Sequence, residues 1–106
     1  EMMAFATAQQ RVQQFRLNQM GGRVILATSS QPCAMCYGAS FWAGIDAILI
    51  GARSDDVQRL AGFDEGPLPA DWQGEWIKRG ISVQCDVLRE QACSVLKEYG
   101  ESGLVY

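Results

Sequence analysis

The chain has 106 residues, 48% of them hydrophobic and 20% charged, with a formal net charge of −3. That length holds one hydrophobic core, and the composition is that of an ordinary globular protein. Nine scattered basic residues argue against a nucleic-acid partner, because counterion release needs a clustered basic face. No apolar run approaches the ~20 residues of a bilayer span and no leader opens the chain, so no membrane partner and no export are expected.

The first segment carries Phe5, Ala8, Val12 and Phe15 at helical spacing, predicting a helix over 1–15. Glu1 falls on the same stripe, which leaves two readings open: a carboxylate facing a pocket, or a frayed helix end in water. Gly21-Gly22 break the chain before Val24-Ile25-Leu26-Ala27, a short run that reads as a strand buried on both faces. Ser29, Ser30 and Pro32 favour a helix start, so a helix is expected over 33–43, ended by Gly44. Residues 45–50 predict a second buried strand. The stretch 52–76 is acidic, aromatic and punctuated by Gly and Pro. It leaves the carboxyl end of that strand, the edge where open α/β sheets bind ligands, and is expected to be a substrate-covering loop ordered by Phe63, Trp72 and Trp76. Residues 81–85 alternate, predicting a strand that covers one face. Leu88, Ala92, Val95, Leu96 and Tyr99 mark a closing helix that stops at Gly100. The order implies a single layered α/β domain over 1–106 with right-handed crossovers.

Four cysteines stand at 33, 36, 85 and 93, and the chain has no histidine. The cysteine density is low for a disulfide-stapled secreted domain, so a reducing, cytoplasmic setting is expected, with Cys85 and Cys93 as buried packing residues. Cys33 and Cys36, at i and i+3 on the opening turn of a helix, put both sulfurs on one face. The helix dipole favours their thiolates there. Two thiolates supply half of a tetrahedral zinc site. The same spacing also serves a thioredoxin-type redox pair. Spacing alone leaves metal site, redox pair and structural thiols open.

The surrounding residues are more specific. P-C-A-M-C-Y-G-A followed by F-W-A-G resembles the second zinc motif of the cytidine deaminase superfamily, whose signature is H-x-E followed by P-C-x-x-C. The acidic stretch A-R-S-D-D-V, then G-F-D-E-G-P and D-W, is similar to the bacterial guanine deaminase branch, and the resemblance runs from Glu1 to Tyr106. Gln31 departs from the family's usual glutamate before Pro-Cys; that position is read as a support residue.

The resemblance implies a three-layer α/β/α cytidine-deaminase-like fold with a mixed, mostly parallel sheet, whose leading helix and two strands would stand ahead of this chain. It implies Zn²⁺ as cofactor, held by Cys33, Cys36 and a histidine two residues before Glu1, outside the sequence. It also implies Glu1 and Glu65 as catalytic carboxyls, Trp42, Asp64 and Tyr106 as substrate-binding residues, a purine base as the small-molecule partner, and a homodimer. The expected activity is hydrolytic deamination of guanine to xanthine and ammonia. The rivals are a deaminase for cytosine, adenine (free or in tRNA) or ammeline, a thiol-disulfide oxidoreductase using Cys33 and Cys36, and a non-catalytic binding domain.

Overall fold

A computed structural model describes residues 1–103; Tyr106 lies outside the described residues. The elements run α1 (Met2–Val12), a 3-10 turn (Leu17–Gln19), β1 (Ile25–Ser30), α2 (Ala34–Ala43), β2 (Ala47–Ala52), α3 (Ser54–Ala61), α4 (Trp72–Lys78), β3 (Ser82–Gln84) and α5 (Arg89–Glu101). The strands lie in the order β1-β2-β3 and pair parallel throughout, with Ile25 opposite Ala47 and Ala47 opposite Ser82.

β2 is central and buried almost along its length. Its alternation sends Ile48 and Ile50 into a core with Phe5, Tyr37, Trp76 and Ile81, under α1, α2 and α4. Its opposite face carries Leu49 and Gly51 toward α5; a methyl group on Gly51 would meet the Ser29 carbonyl and the Ala92 side chain. The result is three layers, helix on sheet on helix. The centre of the core is a polar pin. Trp76 is fully buried, and its indole N–H donates to Ser40 Oγ at 2.8 Å, while that hydroxyl donates to the Tyr37 carbonyl at 2.7 Å. Each buried polar atom thereby finds a partner, as burial demands.

Several expectations are corrected. β1 alternates between exposed and half-buried residues, with Ile25 exposed, because it has a strand partner on one side only. The stretch 52–76 is not one loop: α3 occupies its first part and α4 begins at its end. At the start of α3 the Arg53 N–H donates to Asp56 Oδ2 at 2.9 Å, and Gly62, at φ +70°, stops the helix. Trp72 and Trp76 belong to the core rather than to a substrate cover; their rings meet edge to face at 5.6 Å. α1 ends at Val12, leaving Phe15 exposed. Gly100 lies inside α5, not beyond it, because a side chain there would run into the Leu60 carbonyl of α3. Cys85 and Cys93 are half-buried rather than buried.

α5 has no buried residue of its own. It is tied to α3 by Arg89, which grips the buried Asp56 carboxylate at 2.8 and 3.1 Å. Arg89 holds the Asp56 carboxyl far below the usual carboxylate range, outweighing the opposing effect of burial. Arg89→Ala would leave that charge with the Arg53 N–H at 2.9 Å and Arg59 Nη2 at 3.3 Å as its remaining partners. The variant is expected to unfold at a lower urea concentration than the parent, because a buried carboxylate loses its contacts to one of two guanidinium groups.

Candidate active site

β1 ends at Ser30, Gln31 and Pro32 follow, and the chain turns directly into α2 with Cys33 as its N-cap in extended geometry. Proline cannot continue a ladder but fits just ahead of a helix start, so the turn is built into the sequence. The first free N–H of α2, on Ala34, is accepted by the backbone carbonyl of Glu65 at 2.7 Å. That bond brings the segment after α3 onto the helix end beside Cys33. The approach is tight: Gly66 sits at φ +85°, and a Cβ there would lie 3.2 Å from Ala34 Cβ. Glycine meets both demands.

A cavity of about 430 Å³ opens at this place. It is lined by Glu1, Met2 and Met3 from the start of the chain, Ser30, Gln31, Cys33, Met35 and Cys36, Val57 and Ala61 of α3, Phe63 and Glu65, and Leu96 and Tyr99 of α5. Four of the expected site residues are therefore together: Glu1, Cys33, Cys36 and Glu65. Glu1 is half-buried and not frayed, because Thr28 Oγ1 donates to its Oε1 at 2.8 Å.

The electrostatics are those of a crowded, partly dry pocket. Burial pushes the Cys36 thiol up to about 11, and the Glu1 carboxyl beside it adds to the shift. Glu65 is only 6% exposed, and its Oε2 has no hydrogen-bond partner among the described residues. Burial, reinforced by Glu1, raises its pKa to about 7, while the Ser54 hydroxyl acts in the other direction. An orphaned buried oxygen and an acid poised near neutrality are features of functional sites.

Two other expected residues are not brought here. Trp42 is 66% exposed and lines two different cavities, one of about 480 Å³ with Arg16, Tyr37 and Arg79, the other against Phe5 and Phe15. The helix fixes this: Trp42 stands six residues after Cys36, on a turn far from the α2 start. Asp64 is exposed, and its Oδ1 accepts the Gly66 N–H at 2.9 Å, shaping the turn rather than entering the cavity. Conversely, Phe63 and Tyr99 line the cavity without having been singled out as ligand contacts. Phe63 stands in the stretch read as substrate-covering, but no local signal in the sequence aimed it or Tyr99 at the cavity.

Among the described residues no group of three His, Cys, Asp or Glu side chains converges closely enough to hold a metal ion. The donor chemistry nevertheless fits a cation. Two thiols and two carboxyls face the cavity, and no Lys, Arg or His side chain is among the described residues lining it. Cys33 and Cys36 fit two positions of a tetrahedral zinc ion.

No protein-family model matches the chain. Among curated proteins, a probable cytosine deaminase of Schizosaccharomyces pombe is 46% identical over 35 residues, 33% of this chain and 22% of that protein. The guanine deaminase of Bacillus subtilis is 46% identical over 41 residues, 39% of this chain and 26% of that protein. A solved guanine deaminase from Nitrosomonas europaea superposes with a TM-score of 0.89 at 42% identity, over 94% of this chain and 55% of its own. A further solved neighbour, in complex with 2,6-diaminopurine, has the same TM-score of 0.89 and 42% identity, over 97% of this chain and 55% of its own. The chain thus spans about half the length of the solved relatives it matches, and less of the curated ones. Fold and helix-opening cysteine pair together are consistent with the cytidine-deaminase-like superfamily. Its solved neighbours lie in the guanine deaminase branch.

Folding raises the Glu65 pKa from 4.5 to about 7, so the fold prefers the neutral acid. The associated stability is complete below pH 4.5 and is lost as pH rises through about 7. Glu65→Gln, which cannot ionise, is expected to be more stable than the parent at pH 8 by no more than roughly 3 kcal/mol, with the gap closing by pH 4.5 in urea titrations.

Proposed function

We propose that the protein deaminates guanine hydrolytically, giving xanthine and ammonia, with this chain as a single catalytic domain. The observation that carries the reading is the convergence of Glu1, Glu65, Cys33 and Cys36 in one cavity at the carboxyl ends of β1 and β2. Guanine is favoured over cytosine by the solved neighbours, some of which hold the purine analogues 8-azaguanine and 2,6-diaminopurine. The solved guanine deaminase neighbour likewise favours hydrolysis over the redox alternative.

In this reading Cys33 and Cys36 supply two zinc ligands, and a histidine two positions ahead of Glu1, outside the 106-residue sequence, supplies the third. Zinc, when bound, makes water acidic enough to act as a nucleophile at neutral pH. Glu1 accepts the proton of the attacking water and delivers it to the ring nitrogen beside the carbon that bears the 2-amino group. It then carries a proton to the departing amine. Its bond from Thr28 holds the carboxyl in place between the two transfers. Glu65, neutral below about pH 7, is the second acid, with its unpartnered Oε2 available to the base. Phe63 supplies an aromatic wall for the purine. Met35 and Trp42 stay exposed along one side of α2, and a second copy of the protein is proposed to cover them.

Full-length protein is expected to convert guanine to xanthine in an ultraviolet assay, and Glu1→Gln to lower the rate roughly 10²- to 10⁴-fold. Failure on guanine together with good turnover of cytosine would replace the substrate assignment. Metal analysis is expected to find about one zinc per chain, lost in Cys36→Ser; metal-free protein that reduces insulin disulfides would instead establish the oxidoreductase.

A further inference from the structure

Between the end of β1 and Cys33 stands a buried amide that the proposed chemistry leaves unused. Gln31 is 4% exposed, and its backbone N–H donates to the Ala52 carbonyl at 2.8 Å. Its side-chain Oε1 accepts the N–H of Ser54 at 3.1 Å. Ser54 is the first residue of α3, so that N–H has no partner within the helix. A backbone N–H can only donate, so the amide atom facing it is the oxygen and the NH2 group stands on the other side. Among the described residues that nitrogen, Nε2, has no acceptor. It is nevertheless not sealed in the protein as Glu65 Oε2 is, and the open space that Gln31 borders is the cavity of Glu1, Cys33, Cys36 and Glu65. Gln31 carries the only side-chain nitrogen among the described residues that line this cavity. The others offer carboxyls, thiols, hydroxyls and apolar surface. A nucleobase, by contrast, presents ring-nitrogen and carbonyl acceptors on its edges. A buried NH2 group without an acceptor is costly, and a ligand acceptor removes that cost.

We propose that Gln31 is a specificity-determining residue: the Ser54 N–H fixes its oxygen, and its Nε2 donates to an acceptor atom on the base. The proposal rests on the reading of this cavity as the seat of the base. A carboxylate of the same length would accept the Ser54 N–H equally well. It has no hydrogen to give a ligand acceptor, however, and would add negative charge to a cavity that already holds Glu1 and Glu65. Only an amide serves both ends. A base analogue that keeps the shape but lacks the acceptor is discriminated against, because the NH2 group is then left unpaired.

The test uses zinc-loaded full-length protein and 8-azaguanine, the analogue held by a solved neighbour, with dissociation constants from calorimetry. Gln31→Glu keeps an oxygen for the Ser54 N–H and loses the donor. Gln31→Met has similar length, no charge and neither polar atom. Both variants are expected to bind 8-azaguanine about tenfold more weakly than the parent. The melting temperature of Gln31→Glu is expected to stay within roughly 3 °C of the parent's, since the α3 start keeps its acceptor. A crystal structure of the parent complex is expected to place Nε2 within ~3.2 Å of an acceptor atom of the ligand. Unchanged affinity in Gln31→Glu would overturn the proposal and reduce Gln31 to a support for α3. Unchanged affinity in Gln31→Met would overturn it too, leaving charge repulsion as the cause of the loss in Gln31→Glu. A complex in which Nε2 meets no ligand acceptor would have the same consequence. In each of these cases guanine turnover by the parent would leave the deaminase reading intact. A parent protein that neither binds 8-azaguanine nor deaminates any base would overturn both.

Discussion

The site depends on one backbone hydrogen bond, from the Ala34 N–H to the Glu65 carbonyl. A helix start leaves its first N–H groups without intrahelical partners, and a burial-prone segment must supply acceptors for them. Here the acceptor comes from about thirty residues downstream, so closing off the end of α2 also draws a carboxyl to the same place as the two thiols that the helix presents. Structural satisfaction and the assembly of the chemistry are a single event. The close contact of Gly66 with Ala34 follows from it, because the crossing segment has no room for a Cβ.

Burial then sets the character of the groups gathered there. Glu65 and Cys36 are both driven toward their neutral forms by desolvation, and Glu1 strengthens both effects. A pocket that collects carboxyls and thiols with no basic side chain among its described lining residues is unfavourable for negative charge. A divalent cation would reverse that balance, since an adjacent positive charge favours the thiolate and the carboxylate. This complementarity supports the zinc reading without any further donor having to be invoked within the chain. The contrast with Asp56 is instructive. That carboxyl is equally buried, yet Arg89 keeps it charged, and it serves as the tie between α3 and α5.

Much of the framework was legible in the residues. The Gly44 stop, the proline ahead of Cys33 and the apolar run of β2 are local signals, and α2 and β2 form within two residues of where those signals point. The thiol pair was legible for the same reason, since helical spacing alone puts i and i+3 on one side. α3 was harder to see: it is short, and its single apolar side is made of Val57 and Ala61 among charged neighbours. The aromatic residues of 52–76 misled, because a tryptophan fits a core or a ligand pocket equally well. Ser40 decides the matter for Trp76 by accepting its indole N–H.

The sequence by itself determined the cysteine pair at a helix start, the parallel order of strands and helices, and Glu1 on the side of α1 that carries Phe5. Each follows from backbone periodicity, which acts over a few residues. Only the tertiary structure decided that Glu65 enters the cavity while Asp64 turns away, that Phe63 and Tyr99 line it, and that Trp42 stands elsewhere. Those outcomes rest on which distant segment satisfies the α2 start and on how α5 docks against α3. Contacts between residues far apart in the chain carry no period that a linear reading can detect.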